Sequence, residues 1–173
     1  SEKEKLLKEI ERLIEELRRV VKKAVEDSKE SIDRHHERSR ELLRRSRESL
    51  KDLERRLKDS DESVIEKLVK EHHDLNRRIL KEDRDLLREH HELNKKLIDK
   101  IRRLVEDVRR KLEELRKDRE LEELEKRVRE LERRIRETLT RLNEEIEKNH
   151  RRVEERLRDL NREAEKLAEE AKR

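Results

Sequence analysis

The sequence predicts an all-α protein: an elongated, nearly straight, up-down-up bundle of three helices. The first observation behind this prediction is that the 173 residues include no glycine and no proline, the residues that most often interrupt helices and build turns. The second is that charged residues make up 59% of the chain, mostly Glu, Lys and Arg, which are strong helix formers. The third is that apolar residues recur at the three- and four-residue spacing of one helix face.

The first predicted helix covers about residues 2–58. Its apolar series runs from Leu6 to Leu57 in steps that average about 3.6 residues. A strict heptad would step by 3.5 residues and impose a left-handed supercoil. The observed step therefore predicts a nearly straight helix, about 80 Å long at a rise of 1.5 Å per residue.

The second and third predicted helices cover about residues 62–116 and 119–172. The segment KDSDES, which carries no apolar side chain, separates the first helix from the second. Within it, Ser60 and Asp61 are candidate N-caps because their side-chain oxygens can accept from the first free backbone N–H groups. The segment RKDRE separates the second helix from the third, and Asp118 is the candidate N-cap there.

Polar residues interrupt the apolar face at a spacing that repeats. The sequence EHHDLN at 71–76 recurs as EHHELN at 89–94, 18 residues later. Ser28 and Ser46 of the first predicted helix have the same spacing, and so do two asparagines of the third. Eighteen residues are about five helical turns, so each repeat returns to the same face. One repeat length in three helices indicates a copied module.

Folding the chain at the two polar segments brings polar residues of all three helices to common levels. The residues expected at these levels are Ser28, Ser31, His90, His91, Asn94 and Asn143 in the first layer, His35, Ser39, Asp83, Asn149 and His150 in the second, and Ser46, Ser49, His72, His73, Asn76 and Asn161 in the third. This alignment favours three helices in a single domain of residues 1–173. The alternative is one continuous helix over 62–172, because RKDRE lacks a strong helix breaker.

Serine, histidine and asparagine side chains can be buried without a large cost only when they form hydrogen bonds to one another. A neutral histidine donates from one ring nitrogen and accepts at the other, asparagine does both, and serine bridges either way. Since an unpaired buried polar group costs free energy, co-planar sets of this kind favour one register and one orientation of the helices. In each His–His pair only one ring, or part of each ring, can face the core, and the apolar spacing favours His72 and His90.

The composition argues against several classes of function. The 53 basic and 49 acidic residues are interspersed, and no Phe, Tyr or Trp is present to stack on bases, so we expect no nucleic-acid partner. The absence of a long apolar run or a targeting signal predicts a soluble protein without a membrane partner. A narrow bundle also offers no pocket or oxyanion hole, so we expect no catalytic residues and no small-molecule substrate.

One cluster of the second layer raises the question of a metal. His35, Asp83 and His150 converge there, and two histidines with one carboxylate are a recognised ligand set. We expect a hydrogen-bonded trio in which Asp83 orients a histidine, with no bound metal and no cofactor. Metal binding is the alternative.

Extra apolar flanks on the first and second predicted helices leave the oligomeric state open. They either close the core of a monomer, since each helix of a three-helix bundle faces two neighbours, or form a face for homo-oligomers. The flanking residues are Leu7, Ile14, Val21, Ile32, Leu43, Leu80, Leu87, Ile98 and Val105.

The whole chain resembles de novo designed helical bundles with modular buried hydrogen-bond networks. The features that carry the resemblance are the lack of glycine and proline, the opening SEKEKLLKE and the repeated EHHDLN and EHHELN. The resemblance implies a structural module or scaffold with no natural function, in which buried layers set helix register and pairing. A pH-responsive self-assembling bundle and a designed metal-binding bundle are the alternatives. Designed loops usually carry glycine or proline, and this chain departs from that pattern.

Overall fold

A computed structural model describes residues 1–115 and 119–173. These residues form three α-helices and, within the described ranges, no strand. The helices are α1 (Glu2–Leu57), α2 (Glu62–Glu113) and α3 (Arg119–Lys172). The all-α prediction is confirmed, and α2 ends a few residues before the predicted boundary. No helix in the described part of the chain is both long enough and apolar enough to cross a membrane.

Helices α2 and α3 are separate elements that lie side by side. Helix α2 ends at Glu113, and the Nη2 atom of Arg109 lies 2.7 Å from the Oε1 atom of Glu132 on α3. In one continuous helix these two residues would be about 35 Å apart, so the alternative of a single helix over 62–172 is wrong. The predicted cap Asp118 lies outside the described residues.

The start of α2 is capped by Asp61. The backbone N–H of Val64 donates to Oδ1 of Asp61 at 3.0 Å, and this bond, followed by those from Ser63, lowers the pKa of the Asp61 carboxyl. Ser60, the other candidate, donates instead to the carbonyl oxygen of Arg56 at the end of α1, at 2.6 Å. The side chain of Asp61 therefore satisfies one of the N–H groups that a helix start leaves unpaired.

The described helices contribute to two compact units. Unit 1 contains Ser1–Ser31 and His90–Glu144, and unit 2 contains Ile32–Glu89 and Glu145–Arg173. Each unit holds one segment of each helix, and within each unit the segments of α1 and α2 run antiparallel, as do those of α2 and α3. That residues 1–173 form a single domain stays a prediction.

Apolar side chains fill the space between the helices in both units. In unit 1 the buried apolar residues include Ile10, Leu17 and Ala24 of α1, Ile101 and Val108 of α2, and Val128, Ile135 and Leu139 of α3. In unit 2 one apolar cluster surrounds the turn from α1 to α2 and consists of Leu50, Leu53, Leu57, Ile65, Leu68, Ala164 and Ala168. A second consists of Leu42, Ile79, Val153 and Leu157. The polar residues described below interrupt this apolar packing.

All nine residues of the apolar flanks on α1 and α2 are at least partly covered within the chain. Four of the nine are buried, namely Ile14, Val21, Ile32 and Val105. The other five, Leu7, Leu43, Leu80, Leu87 and Ile98, are half-buried. The large apolar side chain that is exposed among the described residues is Val64, at 39%. This distribution favours flanks that close the core of one chain.

Replacing Asp61 with alanine should lower the denaturant midpoint of unfolding, because the N–H of Val64 loses its acceptor. Replacing it with asparagine should preserve most of the midpoint, since asparagine caps helices about as well as aspartate. The exposed Asp59, two residues earlier, provides the matched control, and Asp59→Ala should leave the midpoint unchanged. Equal midpoints for Asp61→Ala and Asp59→Ala would contradict the role of Asp61 as the cap.

Candidate functional site

Asn94 is the centre of a buried hydrogen-bond network in unit 1. Its Oδ1 accepts from the hydroxyl of Ser28 at 2.9 Å, and its Nδ2 donates to Nε2 of His90 at 3.1 Å and to Oδ1 of Asn143 at 2.5 Å. The Nδ1 atom of His90 lies 2.9 Å from the hydroxyl of Ser31. We call these five residues network 1. The oxygen and both hydrogens of the Asn94 amide have partners, which come from all three helices.

Asn76 occupies the same position in a network of unit 2. Its Oδ1 accepts from the hydroxyl of Ser46 at 2.5 Å, and its Nδ2 donates to Nε2 of His72 at 3.2 Å and to Oδ1 of Asn161 at 2.6 Å. The Nδ1 atom of His72 lies 3.0 Å from the hydroxyl of Ser49. We call these five residues network 2. Bond for bond, network 2 repeats network 1.

The direction of these bonds selects one form of each histidine. Because an asparagine N–H donates to Nε2 of His72 and of His90, that nitrogen acts as an acceptor and the ring hydrogen is on Nδ1. The Nδ1–H group then donates to Ser49 or to Ser31. A second proton on Nε2 would face the amide NH₂ group, and turning the amide around would break its bonds to the serine and to the asparagine of α3. Both networks are therefore complete only with neutral histidines.

The second histidine of each pair lies at the edge of its network. His72 and His90 are buried, whereas His73 and His91 are half-buried. The Nδ1 atom of His73 lies 2.8 Å from Oδ1 of Asn161, and its Nε2 lies 3.5 Å from the carboxylate of Glu165. The ring of His91 lies beside that of His90, with centroids 6.0 Å apart.

Unit 2 also contains a cluster built around the carboxylate of Asp83, which is 0% exposed. Ser39 donates to Oδ1 of Asp83 at 2.7 Å, and Nδ1 of His150 donates to Oδ2 at 2.5 Å. The Nε2 atom of His35 lies 3.1 Å from Oδ1 but lacks the alignment of a hydrogen bond. Asn149 donates to Nδ1 of His35 at 2.8 Å. We call these five residues the carboxylate cluster.

Burial and polar contacts act on Asp83 in opposite directions. Burial pushes the pKa of Asp83 upward, but the contacts with His35, His150 and Ser39 outweigh burial and lower the pKa of this carboxyl below its ordinary value. The cluster therefore holds a buried negative charge. A buried charge of this kind is tolerated only when it is paired and hydrogen-bonded.

Glu154 is a member of this environment that the sequence analysis missed. Its Oε1 lies 2.7 Å from Nε2 of His150, and its side chain is 27% exposed. The spacing of four residues on α3 was the available signal, because residues four apart are neighbours on a helix surface.

The ring of His72 shows the effect of burial most directly. Burial lowers the pKa of His72, and the neighbouring charge of His73 lowers it further, while the carbonyl of Leu160 acts in the opposite direction. The groups that face this ring are Ser49 of α1, Asn76 and His73 of α2, and the Leu160 carbonyl of α3. None of these groups is a carboxylate that would offset a positive charge.

A cleft between α2 and α3 in unit 1 is a further feature that the sequence analysis missed. Its volume is about 770 Å³, and its apolar lining includes Ile98, Val105, Ile135 and Leu139. Two of these residues belong to the apolar flanks, which were the available signal. The described residues that line the cleft also include Asn143 of network 1 and the carboxylates of Asp99, Glu106 and Glu132.

Comparison with known proteins bears on the fold. No protein-family model matches the chain, and no curated protein matches it. A solved structure described as a computationally designed three-helix bundle matches with a TM-score of 0.55 and 20% sequence identity, covering 97% of this chain and 83% of that one. At this identity the match shows the fold alone, which is a three-helix bundle.

We expect the protein to be less stable at pH 4.5 than at pH 7.5. Because the folded state holds the pKa of His72 below its unfolded value of about 6.5, the unfolded chain binds more protons as the pH falls. The stabilisation is fully present above about pH 6.5 and is lost as the pH falls from there towards the folded pKa. Denaturant midpoints at the two pH values measure the difference.

Substitution of His72 separates the contribution of this ring to the pH dependence of stability from the contributions of other titrating groups. His72→Gln removes the titrating ring and should reduce the difference between the two midpoints, whereas His73→Gln, at the half-buried neighbour, should leave most of it. A parent midpoint at pH 4.5 that equals or exceeds the midpoint at pH 7.5 would refute the prediction.

Proposed function

We propose that this chain is a designed structural module with no natural function or substrate, whose buried polar networks set the register and pairing of its helices. The observation that carries the proposal is the identical hydrogen-bond pattern of networks 1 and 2. In each network one buried asparagine of α2 forms hydrogen bonds to side chains of both other helices. The 18-residue sequence repeat and the resemblance to designed bundles support it. So does the fold shared with a protein described as a computationally designed three-helix bundle.

Hydrogen bonds supply register information that apolar packing lacks. Burial of leucine and isoleucine is favourable in proportion to area and has no direction, so a helix shifted by one turn still buries apolar surface. The same shift of about 5.4 Å would move Asn94 or Asn76 away from its partners. Each polar group left unmet in the interior costs about 1–3 kcal/mol. Wrong registers are therefore penalised more strongly than apolar residues alone would allow.

The arrangement of the serines supports a role without catalysis. Ser28 and Ser46 are buried and donate to asparagine oxygens, and the buried Ser39 donates to Asp83. A serine nucleophile must also face a substrate, whereas these three hydroxyls are buried. These hydroxyls are used as structural donors.

A response to acid is the second candidate function. The hydrogen-bond pattern of networks 1 and 2 favours it, because both networks are complete only with neutral rings at His90 and His72. The groups that face His72 also favour it, because none of them is a carboxylate. Protonation of either ring would place a positive charge against an amide NH₂ group. Acid would therefore loosen the two networks that define the register.

We also propose that a single chain is the functional form, because the apolar flanks of α1 and α2 are at least half-buried within it. Mass measurement in solution at pH 7 should give 21.6 kDa. A dimer or larger species at micromolar concentration would show that the flanks form a contact between copies. Repeating the measurement at pH 4.5 tests whether acid changes the assembly.

The register role is tested by Asn143→Leu. This change removes one acceptor from the buried amide of Asn94, at a cost of about 1–3 kcal/mol, while the added leucine offsets up to about 1.5–3 kcal/mol through burial. Net stability should change little, whereas the uniqueness of the fold should fall. We expect broadened or doubled NMR signals for residues of unit 1.

Thr140→Leu is the matched control, since it adds a leucine to the same helix at an exposed position one turn away. Its spectrum should remain as sharp as that of the parent. Asn161→Leu repeats the test in unit 2. If both asparagine variants are as well ordered as Thr140→Leu, the networks do not set the register.

A further inference from the structure

We propose that His35, Asp83 and His150 bind a divalent transition-metal ion, Zn²⁺ in particular, at the carboxylate cluster of unit 2. One donor atom from each residue lies within 4.8 Å of the other two, and all three side chains are buried. Two ligand atoms held about 2 Å from a tetrahedral zinc are roughly 3.3 Å apart. The distance of 3.1 Å between Nε2 of His35 and Oδ1 of Asp83 is close to this value.

The ligand types match zinc chemistry. Two histidines and one carboxylate bind zinc with a fourth position left for water. Asp83 supplies a buried carboxylate, whose oxygens lie within ligand distance of a histidine nitrogen from each neighbouring helix. Calcium and magnesium prefer sets of oxygen ligands, so two imidazoles select a transition metal.

An unsatisfied nitrogen is the observation that points most directly to a ligand. The side chain of His35 is 1% exposed, and its Nε2 is the buried side-chain polar atom that makes no hydrogen bond among the described residues. It nevertheless lies within the cluster, beside the Asp83 carboxylate. A buried donor without an aligned acceptor is costly, whereas a metal ion would use the Nε2 lone pair and remove that cost.

His150 supplies the third ligand of the proposed site. Its Nδ1 and Nε2 face carboxylate oxygens of Asp83 and Glu154 at 2.5 and 2.7 Å. A neutral ring has one N–H group for these two acceptors, whereas a protonated ring donates to both. With a metal ion in place of the proton on Nδ1, the single N–H on Nε2 would donate to Glu154, and the distance from Nδ1 to Oδ2 of Asp83 would lengthen from 2.5 Å towards the roughly 3.3 Å that separates two zinc ligands. The two carboxylates together would balance the charge of a divalent ion.

Each proposed ligand already has a residue that orients it. Glu154 contacts the outer nitrogen of His150, and Ser39 donates to Asp83. Asn149 contacts Nδ1 of His35, and a half-turn of its amide would present Oδ1 to an Nδ1–H group when Nε2 binds the metal. Such outer contacts fix the ring orientation and the tautomer of metal-binding histidines.

The test is zinc binding by the full chain, first freed of metal with a chelator. Because the ligands are buried, zinc is added during refolding from denaturant, so that access does not limit binding. We expect one zinc per chain by elemental analysis after desalting. We also expect a denaturation midpoint that rises with zinc concentration, as for any ligand that binds the folded state. Cobalt as a substitute should give the visible absorption of a four-coordinate site.

Four variants locate the site. His35→Ala and the nearly isosteric Asp83→Asn should abolish the bound zinc and the rise in midpoint, and Glu154→Gln should weaken zinc binding about 10–100-fold. His36→Ala removes the adjacent, half-exposed histidine and should bind zinc as the parent does. Circular dichroism establishes whether each variant is folded. If His35→Ala or Asp83→Asn fails to fold, the zinc affinity of Glu154→Gln and the number of zinc ions bound per parent chain still test the proposal.

Three outcomes would overturn the proposal. The first is a parent chain that retains no zinc and shows no zinc-dependent midpoint. The second is loss of binding in His36→Ala as severe as in His35→Ala, which would place the ion on the surface. The third is unchanged affinity in both Asp83→Asn and Glu154→Gln.

Discussion

The amide group of a buried asparagine imposes the constraint on which this structure depends. Asn94 and Asn76 each carry one acceptor and two donor hydrogens, and the interior provides no water to satisfy them. Their partners come from α1, from the preceding turn of α2, and from α3. Three helical segments must therefore meet at one level before the cost of burying the amide is recovered. Burial of the surrounding leucine, isoleucine and valine residues stabilises the fold, but it is favourable in many registers of the helices because it has no direction.

The two kinds of buried polar site place different demands on their surroundings. Networks 1 and 2 are built from groups that are neutral and complete, so they are compatible with an apolar interior. The carboxylate cluster contains the charged Asp83, a nitrogen of His35 without an aligned partner, and a histidine that faces two carboxylates. The Nε2 atom of His35 is left without a hydrogen bond in this cluster, and an unsatisfied buried group calls for an explanation such as a bound ion.

The fold was largely predictable from the sequence, because helix formation here follows from local composition. The lack of glycine and proline, the 3.6-residue apolar spacing and the two polar segments predict three helices, and Asp61 was one of two candidate caps. The details of the polar sites were less accessible. Periodicity gives the face of a helix on which His35 or Asn149 lies, but not the rotamer or the direction of each hydrogen bond. Those depend on neighbours from other helices, which is why the contact of Glu154 and the misaligned His35 nitrogen required the structure.

The hydrogen bonds of network 1 also follow one another in a single direction. The hydroxyl of Ser28 donates to Asn94, Asn94 donates to His90, and His90 donates to Ser31, so the sequence of donors begins and ends on α1. Bond dipoles arranged head to tail polarise one another, and no single hydrogen can be reversed without leaving two donors or two acceptors facing each other. The interior therefore fixes the order of its protons as well as the positions of its heavier atoms, and the aligned bond dipoles give this part of the core a direction.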